Sequence, residues 1–437
     1  MKHPGAILPV ALAMSGCAGS EPVAIAPPIA APAVYATDLP AAGLQEEWWL
    51  GFGDPALDRL VRRGLEVNLD IDAASGRLAA AAALLRAERA DRLPGLDGSA
   101  EIGTTLVGEG EDTAVAGLFA LFEPDLNGRL AAEVRAAVAD YAETNYLLAE
   151  QRRLVAAAIA SQYIEYRRTQ TQLDLLEQST DLQDQTLRIV TLRFEAGLAA
   201  NLDVRRAAAD LAQTRARRGL VEIARANAPG AFAIEPLADG SRIPGYGAGP
   251  PAGVPADLLR RRTDILAAEA RLARAAAEIG IEQADLRPSL TIPGEIGIGD
   301  GLLSGLFGDF LVGIAVAIDI PIFDGGRRRA EVAAAEAVAE ARVAEYRATF
   351  LNALGQVENA LVSIEAYRQR NAALTEAIDQ SETALAQSNA LYREGLASLF
   401  DVLDAQRQLI ASRQALIDSE AALASSFVAF HSAIGSQ

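Results

Sequence analysis

Residues 70–103, DIDAASGRLAAAAALLRAERADRLPGLDGSAEIG, return at residues 264–297 as DILAAEARLARAAAEIGIEQADLRPSLTIPGEIG. At this offset of 194, 18 of the 34 positions are identical, and only seven of the matches are alanine. The remainder include Asp91/Asp285, Pro94/Pro288, Leu96/Leu290 and the run Glu101-Ile102-Gly103/Glu295-Ile296-Gly297. Further along, the offset becomes 198: Gly128-Arg129 matches Gly326-Arg327, Gly197-Leu198-Ala199 matches Gly395-Leu396-Ala397, and Asp203-Val204 matches Asp401-Val402. A period near 200 is too long for a solenoid repeat. It marks a duplicated half-molecule, and duplicated halves build structures that are symmetric about an axis.

Outward from the repeat, each half has the same order: helix, β-hairpin, very long helix, tight turn, helix. Pro94 stops the helix that begins at Asp70. Residues 96–107 then alternate, with Ala100, Ile102, Thr104 and Leu106 on one face and Glu101, Gly103 and Thr105 on the other. Val115 to Phe122 reads as the return strand, after an acidic turn over Gly108–Asp112. In the second half Leu290, Ile292, Ile296 and Ile298 share a strand face. Phe310, Val312, Ile314, Val316, Ile318 and Ile320 share a face of the next strand. About ten residues of apolar/small alternation fit a transmembrane β-barrel strand, or a soluble sheet with one buried face. Two isolated hairpins are marginal by themselves, so they must pair with something. Pro293 sits awkwardly in its strand because it lacks a ladder donor. The string Gly297-x-Gly299-x-Gly301 reads as a hairpin turn, since no phosphate-binding helix start follows it.

The runs Arg129–Ala196 and Arg327–Glu394 predict helices of roughly 100 Å at about 1.5 Å per residue. Gly355 is the one breaker in either run. A polar-interrupted heptad stripe (Leu176, Thr180, Gln183, Leu187, Val190, Phe194; then Leu374, Ile378, Ser381, Leu385, Ser388, Tyr392) suits helices packed side by side. Gly197 and Gly395 cap the runs. Antiparallel helices return from Leu202 and Phe400.

Composition agrees with long helices rather than one thick core. The 437 residues are 51% hydrophobic, but only 5% aromatic. Alanine favours helix and buries little area per residue. A net charge of −19 opposes nucleic-acid binding, because phosphate would be repelled. With two histidines, His3 and His431, and one cysteine, no triad, zinc site or intramolecular disulfide is expected, and no cofactor or enzymatic activity. The N-terminus is the exception to helical monotony. Lys2 and His3 precede a short apolar stretch, Ala6–Met14, which is too short to span a bilayer and reads as an export signal.

Met14-Ser15-Gly16-Cys17 resembles the lipobox of bacterial lipoproteins, with Met14 in place of the commoner leucine. That resemblance implies cleavage before Cys17 and lipidation of its thiol. Other segments resemble the outer-membrane efflux proteins, the TolC-like family, in its OprM/NodT-type lipoprotein branch. They are Trp48-Trp49, Phe52-Gly53-Asp54-Pro55-Ala56-Leu57, and Val254-Pro255-Ala256-Asp257-Leu258-Leu259 followed by Arg261-Arg262-Thr263-Asp264-Ile265, where Thr263 replaces the branch's usual proline. Pro288-Ser289-Leu290, Pro321-Ile322-Phe323-Asp324-Gly325-Gly326-Arg327, Gly395-Leu396-Ala397 and Asp401-Val402-Leu403-Asp404-Ala405-Gln406 complete the set.

The resemblance implies a mainly α chain with a β-barrel portion. A homotrimer would form an α-helical periplasmic barrel and a 12-stranded transmembrane β-barrel, with four strands from each internally duplicated chain. It implies a passive outer-membrane channel for drugs or other small molecules, lipid-anchored and extending into the periplasm. The implied partners are a periplasmic membrane-fusion adaptor, an inner-membrane efflux pump of the RND type and outer-membrane lipid. On this reading 1–16 is a lipoprotein signal peptide, 17–47 a lipidated tether, 48–227 the first repeat, 228–254 a linker and 255–437 the second repeat. The rival is a periplasmic helical-hairpin adaptor or structural lipoprotein without a pore.

The resemblance places gate and docking roles at the hairpin tips. Asp401 and Asp404 fall where the family's constriction is lined; their i, i+3 spacing puts both carboxylates on one helix face. Threefold symmetry would make acidic rings that attract cations. The other reading is a carboxylate that caps the first turn and favours the helix dipole. Asp203 is Asp401's equivalent in the first half, with a tip contact or a cap as its alternatives. Tyr392 matches a tip tyrosine that helps hold the closed state, against simple heptad packing. Gly197, Leu198, Gly395, Leu396, Leu399 and Phe400 make up the tips where the adaptor docks. Ala397 stands where TolC has an arginine that locks the tip. Closure here is therefore expected to rest on packing around Leu396, Leu399 and Phe400. Arg327, Arg328 and Arg329 lie at a strand-to-helix junction, either near lipid phosphate or on a solvated surface.

Overall fold

The computed structural model describes residues 47–104, 112–227, 242–247, 261–301 and 310–435; side chains at 102–115, 227 and 298–311 are outside the description. The expected signal peptide, Cys17, most of the expected tether and most of the expected linker over 228–254 fall outside the described residues, as does the expected turn over Gly108–Asp112 apart from Asp112 itself. In chain order, a 3-10 turn (Trp48–Phe52) leads into α1 (Pro55–Val67), α2 (Leu69–Ala90), β1 (Gly95–Thr104), β2 (Asp112–Phe122), α3 (Arg129–Glu195) and α4 (Asn201–Asn227). The second half supplies α5 (Thr263–Ala284), β3 (Ser289–Gly301), β4 (Phe310–Ile314), β5 (Ala317–Asp319), α6 (Arg327–Arg393) and α7 (Leu399–Ala433).

The chain divides into two compact units. The first draws on Ala74–Leu148 and Asp264–Thr349 and contains the whole sheet. Its strands run antiparallel in the order β1-β2-β3-β4, with β5 also on β3. Even-numbered residues, among them Leu118, Ile296, Val312, Ile314 and Ile318, share a face that is exposed in the single chain. The odd-numbered face carries Glu101, Glu295, Asp319 and a series of glycines.

Two sequence expectations change here. The fourth strand is not continuous: it breaks at Ala315–Val316, between β4 and β5. Ala315 N–H donates to Pro293 O at 2.9 Å, but proline has no N–H to return the bond, so the ladder loses a rung there. Gly297, Gly299 and Gly301 do not form a turn. They lie in β3, opposite Gly117, Val115 and Thr113. Antiparallel pairing overrides glycine's weak strand preference, and close backbone approach gives the glycines a use. A Cβ added to Gly117 would sit 3.2 Å from Ile296 O.

Helix starts in this unit are fixed by side-chain caps. Asp125 accepts from the backbone N–H groups of Leu130 (3.1 Å) and Ala131 (2.8 Å) ahead of α3, and Asp324 from Gly326 (2.9 Å) and Arg328 (3.2 Å) ahead of α6. Close packing by small residues joins α5 to α6 through Ala275, Ile279, Ala335 and Ala339. Ion pairs Arg271–Glu143 (2.6 Å) and Arg274–Asp140 (2.8 Å) tie α5 to α3. Gly355 does not interrupt α6, which passes through it as helix. No described helix is long and apolar enough to cross a membrane, which says nothing of the sheet.

The second unit holds the 3-10 turn, α1, α4, α7 and the remaining parts of α3 and α6. Its deepest cluster is aromatic. Trp48 is fully buried and stacks on His431 (centroids 5.4 Å, 9° between planes), while Tyr246 stacks on Phe427 at 4.5 Å. A second knot surrounds Asp54. One oxygen caps α1 through Ala56 N–H (2.8 Å), and the other accepts the buried Tyr163 hydroxyl, which in turn accepts from Arg167 Nε (2.8 Å).

Candidate functional site at the helical hairpin tips

Both long helices end in the same device. Gly197 adopts φ +76° and Gly395 φ +75°, a left-handed conformation that a side chain would strain. Gly197 N–H donates to Phe194 O and Leu198 N–H to Arg193 O; Gly395 and Leu396 repeat this on Tyr392 and Leu391. This Schellman pattern satisfies the last carbonyls and turns the chain back within five residues.

The returning helices start differently. Ser398 caps α7 in a reciprocal box: Asp401 N–H donates to Ser398 Oγ at 3.4 Å, and Ser398's N–H and hydroxyl both donate to Asp401 Oδ2 at 2.8 Å. Those bonds hold the Asp401 carboxyl below its ordinary range. Ala200 occupies Ser398's position in the first hairpin, so Asp203 has no such box. Asp401 and Asp404 are both exposed, while Val402 and Leu403 between them are buried.

Beneath the turns, Val190 of α3 packs with Leu385 and Tyr392 of α6 and with Leu399, Val402, Leu403 and Leu409 of α7. Gln406 Nε2 donates to Thr186 Oγ1 at 2.7 Å across this core. Of the three residues expected to pack the gate, only Leu399 is buried within the chain. Leu396 and Phe400 stay exposed, as do Leu198 and Leu202 at the matching positions of the first hairpin. The tip thus presents two equivalent apolar pairs, one from each repeat.

The sequence matches the family described as outer membrane efflux protein over residues 60–229 and 254–436. The chain belongs to that family. It is 30% identical to nodulation protein T of Rhizobium leguminosarum bv. trifolii, covering 89% of this chain and 87% of the relative. It is 31% identical to the solvent efflux pump outer membrane protein SrpC of Pseudomonas putida, covering 88% and 86%. Among solved structures it is similar to the outer-membrane channel OprN (TM-score 0.88, 28% identity, 96% of this chain and 99% of that one). It is also similar to VceC of Vibrio cholerae (TM-score 0.81, 25% identity, 90% and 99%). The TolC-like channel fold and the OprM/NodT-type affinity therefore hold, and the outer membrane efflux protein acts in transport at the outer membrane.

One tip residue escaped the sequence reading. Arg193, in the last turn of α3, lies over the Tyr392 ring (4.8 Å to the centroid), and its Nη1 donates to the carbonyls of Tyr392 and Arg393, both at 3.3 Å. Burial raises the Tyr392 hydroxyl's pKa; the Arg193 charge opposes that rise and the Asp203 charge adds to it. Cation and ring therefore meet between the two hairpins of this efflux protein, and the Asp203 charge acts on the same hydroxyl. The signal was available as a broken repeat, since Arg193's counterpart is Leu391. No group of three or more His, Cys, Asp or Glu suited to a metal occurs among the described residues.

Proposed function

We propose that the chain is one subunit of a homotrimeric, passive exit duct that conducts small molecules from a periplasmic adaptor and inner-membrane pump to the outside. The observation that carries this reading is the sheet: Leu118, Ile296, Val312, Ile314 and Ile318 are exposed on one face of it, and its two edge strands are unpaired among the described residues. An isolated sheet of this kind is an aggregation template, and closure into a barrel removes its edges. Membership of the efflux family and relatives named for solvent, toluene and pyoverdine export support small organic cargo. Cys17 would carry the lipid anchor after removal of 1–16, and 17–47 would tether it to the repeats at 48–227 and 255–437. Mass analysis of the mature N-terminal peptide reads this directly; an unmodified, uncleaved N-terminus removes the anchor from the proposal.

At the tips, Asp401 and Asp404 would form acidic rings, and Arg193 with Tyr392 would hold the two hairpins together when closed. Asp203 would bias that contact. Leu198, Leu396 and Phe400, carried on the turns at Gly197 and Gly395, would meet the adaptor, with Leu399 as their buried support. The deciding experiment is conductance in planar bilayers. The wild type should pass ions with cation preference, and Asp401→Ala/Asp404→Ala should bring that preference several-fold closer to unity. Ser398→Ala removes the cap but keeps both carboxylates, so it should leave selectivity in place. Unchanged selectivity in the double variant would sink the acidic rings. In the same apparatus Arg193→Ala removes a cation–π contact and two hydrogen bonds, together worth about 2 kcal/mol. Open probability should then rise roughly 30-fold. An unaltered closed state would mean that Arg193 is only packing.

A further inference from the structure

Within the second unit, α3, α4 and α7 enclose a cavity of about 790 Å³. Its floor is α3, where Leu175 and Leu176 are buried. One wall is α4, through Thr214, Arg217 and Val221, which recur every three or four residues on one helix face. The other wall is α7, through Ile410, Gln414 and Asp418 at the same kind of spacing, and Arg370 of α6 also lines it. A mainly apolar hollow of this size with a few polar groups around it is the common make-up of a small-molecule site.

Gln183 and the wall charges define the chemistry that fits. Gln183 lines the cavity at 5% exposure, and its Oε1 is buried without a hydrogen-bond partner. A buried acceptor left unpaired is costly, so this oxygen calls for a donor on an occupant. Both carboxylates of the walls are already satisfied. Asp210 accepts from Arg407 Nε (3.1 Å) and Nη2 (3.0 Å). Asp418 accepts from Arg168 (3.0 Å), Gln172 (2.9 Å) and Gln414 (3.1 Å). Arg217 and Arg370 differ: no hydrogen bond or ion pair engages either of them among the described residues. The cavity is therefore cationic, in a chain of net charge −19. Hairpin packing alone does not produce it. At the offset of 198, Gln183 and Arg217 correspond to Ser381 and Ala415, so the second repeat lacks both groups.

We propose that this cavity binds a compact amphipathic organic anion that carries an N–H or O–H donor. Its apolar body rests on Leu175 and Leu176, its donor meets Gln183 Oε1, and its acidic group pairs with Arg217. Gln172 and Gln183 bracket the apolar floor along α3, about 16 Å apart at about 1.5 Å per residue. Polar groups at both ends favour a ring system over a long acyl chain. Such binding does not depend on conduction through the duct, so either can fail without the other.

The probe is 8-anilinonaphthalene-1-sulfonate, which has an apolar ring system, an N–H and a sulfonate. Its comparator is N-phenyl-1-naphthylamine, the same body without the sulfonate. Fluorescence titration of the full-length protein, with matched empty micelles subtracted, should saturate at a single site per chain. Arg217→Gln removes a charge-assisted hydrogen bond, so it should weaken the sulfonate roughly ten-fold and leave the neutral dye in place. Gln183→Leu should weaken both dyes. Ala411→Phe fills the cavity from α7 and should abolish both. Arg217 and Ala411 are exposed in the single chain, so helical circular dichroism should be unchanged in those two variants. An equal concentration of dodecanoate should leave the dye bound. Sulfonate binding that survives Ala411→Phe places the dye elsewhere and overturns the site. Equal weakening of the two dyes by Arg217→Gln overturns the anion. Displacement by dodecanoate overturns the compact body, and titrations that never saturate overturn the whole proposal.

Discussion

Replacement of Trp48 by alanine is expected to lower stability by about 3–5 kcal/mol, the range for emptying a large aromatic site in a core. Trp48 is fully buried. Its ring stacks on His431, meets Trp49 edge-on at 5.8 Å and meets Phe52 at 6.4 Å. The surroundings cannot collapse into the vacancy, because they come from three separate segments, each held independently. The 3-10 turn ends at Gly53 in a left-handed conformation (φ +61°) and continues into the Asp54 cap. Tyr246 is clamped between Phe52 and Phe427. His431 is fixed on α7, whose last turn bonds through its carbonyls to Arg153 and Arg262. The check is the urea midpoint of the helical circular-dichroism signal, with Leu50→Ala as comparator. Leu50 is 41% exposed, so its truncation should move the midpoint little. Equal shifts in the two variants would contradict the packing argument.

The second large effect is one of pH. Burial lowers the His431 pKa from 6.5 to about 4. The folded state therefore binds its proton more weakly than the unfolded chain does. Stability from this group is complete above pH 6.5, falls as the pH drops through the window from 6.5 to 4, and is fully lost below it. A shift of this size corresponds to roughly 3 kcal/mol at about 1.4 kcal/mol per pH unit. Burial raises the Glu420 pKa, so that carboxyl works in the opposite sense and gains stability as the pH falls. For that reason the measurement is a difference. Urea midpoints of wild type and His431→Phe are compared at pH 7 and pH 4.5. Wild type should lose more than the variant between the two, and parallel losses would show that His431 does not titrate in this window.

Both effects arise in a cluster that sequence patterns reveal only in pieces. Trp48-Trp49 was legible as a family motif, but nothing local says that Trp48 lies on His431, 383 positions away. Tyr246 fell in a Pro/Gly-rich stretch read as a linker, yet its ring is clamped in the core. The stacking of the His431 ring on Trp48 has no sequence signature. At the tips the balance is similar. Gly197 and Gly395 were readable as caps because a left-handed helix end needs a residue without Cβ. That Asp401 would bond Ser398, and that Phe400 would be exposed while its neighbour Leu399 is buried, depended on helix rotation against α3 and α6.

The sequence alone determined what short-range physics and the repeat could carry. It placed the element order, the ends of the long helices and the alternating strand faces. Helix capping and period-2 alternation are properties of residues close in the chain, so they survive without knowledge of neighbours. Only the tertiary structure decided where distant segments converge. It showed the fourth strand broken where Pro293 withholds a donor, and the glycine string drawn into a ladder by β2. It seated Arg193 on the Tyr392 ring, and closed the aromatic core around Trp48. Each of those outcomes depends on a contact spanning twenty to nearly four hundred residues, and such contacts are selected by the summed packing of the whole chain rather than by any one stretch of it.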